Sequence, residues 1–203
     1  NMVYAPLTIR KEITGPETEE TFPFTIRLYN ADGTESTEAF AYTGAKEGIL
    51  HSGDVILLGQ DESITIPYLL PGMSYAVEEE AGIRYTGTVN GQPAEQFAGT
   101  CTEGGDQVTF TNVLKTTGLS VVKEWQGGIG GDIQLTLYAN GVKVEPQPAY
   151  HQDGQTYSYI NLPMYDLQGQ TITYSVKEKY MDGYLTIYQN IAPHTGESEC
   201  VYN

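Results

Sequence analysis

At 203 residues the chain suits one large or two small domains, each able to bury a core without metals or covalent staples. Ten basic against 26 acidic side chains leave a net charge of −16 with no basic stripe, which rules against nucleic acid and anionic membrane surfaces as partners. Abundant Gly, Tyr, Thr and Val favour an all-β fold, and no apolar run is long enough to cross a bilayer.

In chain order, residues 7–13 alternate with Leu7, Ile9, Lys11 and Ile13 on one face, and Gly15-Pro16 ends that strand. Residues 17–20 read as a solvated turn. Phe22, Phe24, Ile26 and Leu28 mark the next inward row, closed by a turn at 30–33. Residues 34–53 are weakly patterned and expected as loop with a short irregular strand. Short strands follow at 55–58 and 63–66, and after the turn at 70–72 another carries Tyr75, Val77 and Glu79 on one face. A glycine-rich stretch over 87–105 precedes a closing strand, 107–113, with Val108, Phe110 and Asn112 inward.

The second half repeats these landmarks in the same order. Leu7, Ile9 and Lys11 return as Leu119, Val121 and Lys123, and the run 24–33 returns at 133–141. Leu70, Pro71, Tyr75, Val77 and Glu79 return as Leu162, Pro163, Tyr174, Val176 and Glu178; Val108 to Asn112 returns, shortened, as Val201-Tyr202-Asn203. We therefore expect two copies of one fold, at 1–114 and 119–203, joined by a linker at 115–118. About seven short strands per copy, with turns between, read as an antiparallel sandwich.

Each copy places a Lys on its first strand, a Glu near its middle and an Asn on its last, all with the parity of apolar neighbours. Burial lowers a lysine pKa and raises that of a glutamic acid, so neutral amine and neutral acid become the favoured forms. A neutral amine is a nucleophile, and a protonated Glu can polarise the carboxamide and pass a proton to the leaving nitrogen. First and last strands are neighbours in such sandwiches, so folding would bring the two together at high effective molarity. The product is a Lys–Asn isopeptide bond, with loss of ammonia. The plainer reading has Lys11 and Lys123 snorkelling at strand edges and both Asn residues in turns.

The run Leu119 to Trp125, the run Leu162 to Glu178 and the terminal Asn203 resemble the Cna B-type domains of Gram-positive surface adhesins and pilins. Residues 7–112 resemble the related pilin-type domain at Lys11, at 75–79 and at 110–112. The resemblance implies two tandem antiparallel Ig-like sandwiches, a Lys11–Asn112 bond assisted by Glu79, and a Lys123–Asn203 bond assisted by Glu178. It further implies an extracellular stalk or pilin segment attached to the cell wall, partnered by neighbouring pilin or wall subunits, with no turnover catalysis and no cofactor. A ligand-binding adhesin module for a host matrix protein or glycan, using the longer stretches 34–53 and 87–105, is the alternative. An accessory sandwich of a secreted glycan-active enzyme is the other.

Other candidates carry less. His51, His151 and His194 lack metal-ligand spacing, and the turn at 30–33 lacks the alternating ligands of a calcium loop. Cys101 and Cys200 fall in different copies and are expected as unpaired, half-buried thiols. Leu70-Pro71 and Leu162-Pro163 are internal turns rather than a Leu-Pro-x-Thr-Gly sorting signal, so an anchor is expected outside this sequence. The run 3–6 lacks the Lys of the pilin polymerisation motif, for which Lys115 is a weak substitute. Tyr157, Tyr159, Tyr165 and Tyr188 are read mainly as sandwich packing.

Overall fold

The computed structural model describes residues 2–127, 130–194 and 197–202, with backbone alone for 190–194 and 197–202. Every regular element among them is a strand, the class that the composition favours. The chain divides into two compact units, Asn1–Leu114 and Lys115–Asn203.

The first unit contains β1 (Leu7–Thr14), β2 (Thr21–Tyr29), β3 (Phe40–Gly44), β4 (Gly48–Leu50), β5 (Asp54–Gly59), β6 (Ser63–Ile66), β7 (Ser74–Glu79), β8 (Tyr85–Val89), β9 (Gln92–Pro93), β10 (Gln96–Thr100) and β11 (Asp106–Leu114). One sheet runs β4-β3-β6-β1-β11-β8-β9 and the other β10-β7-β2-β5. Period-2 alternation buries one row of each central strand: Leu7 and Ile9 of β1, Phe24, Ile26 and Leu28 of β2, Val77 of β7, and Val108 and Phe110 of β11 are all solvent-free.

The ladders of this unit are antiparallel with one exception. β1 and β11 pair in parallel, with Lys11 level with Phe110 and Ile13 level with Asn112. The sheets are otherwise antiparallel, as expected, and the parallel pair has a physical reason. A parallel pair needs a long crossover, and here the whole intervening unit supplies it. The stretches 34–53 and 87–105, expected mostly as loop, hold β3, β4, β9, β10 and part of β8 between their turns.

The second unit contains β12 (Thr116–Lys123), β13 (Leu135–Ala139), β14 (Val142–Lys143), β15 (His151–Asp153), β16 (Thr156–Pro163), β17 (Tyr174–Glu178), β18 (Tyr188–His194) and β19 (Glu197–Tyr202). Its sheets run β15-β16-β12-β19-β18 and β14-β13-β17, and β12 pairs in parallel with β19. Leu119, Val121, Leu137, Tyr159 and Val176 lie at the centre of its core. Most of the stretch read as a linker, 115–118, is already strand. β12 starts at Thr116 and pairs with β16, with an irregularity in register between Thr117 and Leu119.

Candidate functional site

β1 and β11 build the first half of the site. Alternation puts Lys11 in the buried row of Leu7 and Ile9, and Asn112 in the row of Val108 and Phe110. The parallel register then makes Lys11 and Asn112 diagonal neighbours on the inner face. Glu79 enters from β7 in the opposing sheet, and its neighbours Glu78 and Glu80 are exposed, so strand parity selects one of three consecutive acids.

The three side chains meet. Lys11 Nζ lies 2.7 Å from Glu79 Oε1, and Asn112 Nδ2 donates to the same oxygen at 2.8 Å. Lys11 and Asn112 are 0 % exposed and Glu79 3 %, so water screens none of them. The Lys11 contact is a close ion pair rather than a well-aimed hydrogen bond, and the Asn112 carbonyl oxygen has no donor. Burial lowers the Lys11 pKa below the usual lysine value, and the contact with Glu79 opposes this without cancelling it. In the reverse amide orientation the Asn112 carbonyl would face Glu79.

Aromatic rings wall the site. Lys11 Nζ sits 4.6 Å from the centroid of the Phe22 ring, and Phe24 packs edge-on against Phe110 at 5.1 Å. Parity marks Phe22 as inward, but sequence alone does not show that its ring faces the amine. Asn112 lies level with Gly87 on β8.

In the second unit Lys123 Nζ donates to Glu178 Oε2 at 2.9 Å, with the two side chains 5 % and 2 % exposed. The Trp125 ring lies 4.4 Å from the amine, and Thr186 Oγ1 reaches the same Glu178 oxygen at 3.4 Å. Lys123 is level with Tyr202 on β19. Asn203 lies outside the described residues. A cavity of about 420 Å³ adjoins Lys123, lined by Trp125, Gly127, Tyr184, Leu185 and Ile187.

Other sequence candidates fall elsewhere. Cys101 is a free, fully buried thiol, deeper than the half-burial expected, while the side chain of Cys200 lies outside the described residues. His51 and His151 are exposed, the His194 side chain is not described, and no metal-holding cluster occurs among the described residues. The turn at 30–33 is organised by Asp32, whose Oδ1 accepts from Thr34 N and Oγ1. Tyr157 and Tyr159 are core residues packed edge-on against Tyr150, whereas Tyr188 is exposed. No helix among the described residues is long and apolar enough to cross a membrane.

Residues 5–114 match the family described as Domain of unknown function (DUF7601), and residues 119–196 match the Cna protein B-type domain. Among solved structures, the pilus-presented adhesin Spy0125 (Cpa) aligns with 55% of this chain at 26% identity and a TM-score of 0.50. The alignment spans 28% of that adhesin. The major pilin from Streptococcus pyogenes aligns with 55% of this chain and 48% of its own at 20% identity, TM-score 0.49. Its T-13 counterpart from the same organism aligns with 99% of this chain and 96% of its own at 18% identity, TM-score 0.45. No curated protein matches the chain.

Proposed function

The chain belongs to the family described as Domain of unknown function (DUF7601) and continues into a Cna protein B-type domain, and from that premise we propose that it is a self-crosslinking stalk segment of a surface pilus or adhesin. The observation that carries this reading is the double contact of Glu79, which touches both the Lys11 amine and the Asn112 carboxamide in a site closed to water. A buried lysine, glutamate and asparagine make a costly core unless they serve a purpose, since removing charge from water costs several kcal/mol per ion.

The reaction balances within the three residues. Neutral Lys11 Nζ attacks Asn112 Cγ while protonated Glu79 polarises the carbonyl. Glu79 then gives its proton to Nδ2 and takes one from the attacking nitrogen. One C–N bond forms, one breaks, and ammonia leaves. Lys123 and Glu178 offer the same amine and acid in the second unit, with Asn203 as the carboxamide. The crosslinked segment sits outside the cell, attached to the wall, beside neighbouring pilin or wall subunits.

Intact mass tests the reading. Loss of two ammonias is expected, and Glu79→Ala or Glu178→Ala should each restore one. A chain at its full calculated mass would refute the crosslinks.

A further inference from the structure

Behind the Phe22 ring lies a polar cluster that the crosslinking chemistry does not use. Tyr85, 6 % exposed, packs edge-on against Phe22 at 5.2 Å and 82°. Its hydroxyl donates to Glu20 Oε2 in a short hydrogen bond. Arg84 Nη1 donates to Glu20 Oε1 at 2.6 Å, and Thr18 Oγ1 adds a 3.2 Å bond to Oε2. Thr18 N is in turn held by Gln60 Oε1 at 3.2 Å. The turn before β2 is thereby tied to the turn before β8, 64 positions away in sequence.

These turns flank one end of the sandwich. β1 ends at Thr14, β2 begins at Thr21, β7 ends at Glu79 and β8 begins at Tyr85, so Glu20 and Arg84 close the end nearest Glu79 and Asn112. The charges suit a permanent tie. Burial pushes the Tyr85 phenol up to about 12, with Glu20 adding to the rise, so it remains a donor. Burial raises the Glu20 carboxyl, but bonds from Tyr85 and Arg84 outweigh it and hold the group below its ordinary value.

The second unit offers an internal comparison. Trp125 covers Lys123 and Tyr184 packs edge-on against it at 5.0 Å, the same layering as Phe22 and Tyr85. No ion pair among the described residues ties Tyr184, and there Lys123, 4 % exposed, lines the cavity of about 420 Å³. Where the clamp is present, the amine is fully enclosed.

We propose that Glu20, Arg84 and Tyr85 form a clamp that presses Phe22 onto the Lys11 amine and shuts water from the Lys11–Glu79–Asn112 site, making them positioning residues that set the rate of crosslinking. The rate effect rests on the crosslinking reading; the enclosure of Lys11 does not. Among the described residues, Glu79 on β7 is the charged group that acts directly on Lys11, and the clamp acts through Phe22.

Two measurements test this. The first labels amines of the native Asn112→Ala protein with acetic anhydride and maps Lys11 by peptide mass. Lys11 should be protected, and adding Tyr85→Phe or Glu20→Gln should expose it; continued protection in both would overturn the clamp. The second follows ammonia loss after cell-free synthesis at several pH values. Tyr85→Phe should slow it by about 10- to 100-fold and move its pH midpoint upward, as water returns the amine toward ordinary lysine behaviour. A lower melting temperature with unchanged rate and pH midpoint would reduce the cluster to a structural tie and overturn the positioning role. If the parent chain keeps all its ammonia, the crosslinking reading and the rate effect both fail, and the labelling result still decides the enclosure.

Discussion

Asn112 lies level with Gly87 across the β11–β8 ladder, so the residue directly opposite the carboxamide carries no side chain. A Cβ at 87 would stand 3.2 Å from Ala94 O and 3.5 Å from Asn112 Oδ1. The Cβ alone only touches the amide, but the γ-methyls of Gly87→Val reach further and should turn it away from Lys11, slowing crosslinking of the first unit by about 10- to 100-fold. Timed intact mass reads this, and an unchanged rate would show that the amide has room to spare.

Closing the loop from Lys11 to Asn112 should stabilise the first unit by about 4 to 5 kcal/mol if the loop-entropy relation for disulfides carries over. Asn112→Ala should lose that amount in denaturant unfolding. Lys11→Ala should lose more than Asn112→Ala, because the latter keeps the buried Lys11–Glu79 contact and the former removes it. Equal losses in the two variants would show that the Lys11–Glu79 contact adds nothing to stability beyond the crosslink.

Burial holds the Lys11 amine below its ordinary value of 10.5, against the pull of Glu79. In uncrosslinked Asn112→Ala, the unfolded chain then binds more protons at position 11 than the folded one between the lowered pKa and 10.5. Stability relative to an Asn112→Ala, Lys11→Met double variant should rise with pH across that interval and be lowest below it. In the parent, crosslinking should accelerate with pH through the lowered value and level off before 10.5. Stability that falls with rising pH would reverse the sign.

Cys101 is buried, and burial, with Asp106 adding to it, pushes the thiol up to about 11. The thiolate is scarce at neutral pH and sheltered, so iodoacetamide should leave Cys101 untouched in the native protein and alkylate it only in denaturant. Rapid native alkylation, mapped by peptide mass, would show that this end of the unit opens.

For the second unit, Asn203→Ala and Lys123→Met should each restore the mass of one ammonia while leaving the first crosslink intact. Restoration by Lys123→Met alone would point to a different carboxamide partner.

Parity along single strands made much of the first site legible: Lys11, Glu79 and Asn112 each share a row with apolar neighbours, and each is buried. The direction of β11 beside β1 was not legible, because inward rows look the same in parallel and antiparallel pairs. In the first unit the amide stands two positions beyond Phe110, the residue level with Lys11. In the second, Lys123 is level with Tyr202, a spacing that the shortened sequence match does not convey. Residues 17–20 look like a solvated turn because the partners of Glu20, Arg84 and Tyr85, are remote in sequence. β10 escapes pattern reading because its alternation breaks at Gly99, where an added Cβ would lie 2.5 Å from the Tyr75 hydroxyl. Thr116 to Gly118 have turn composition, yet β16 supplies ladder partners for Thr116 and Thr117.

The shared direction of β1 and β11 decides how the first unit fails when pulled. The chain enters beside Leu7, level with Asp106, and leaves beyond Val113, level with Thr14, at the opposite end of the pair. Drawing entry and exit apart slides the two strands lengthwise, so every rung between them resists at once. An antiparallel pair would bring both attachments to one end and open like a zipper, rung by rung. A tie from Lys11 to Asn112 would stop the slide almost before it begins. The unit would then behave as a link of nearly constant length, and a fibre made of such links would take up its slack only between them.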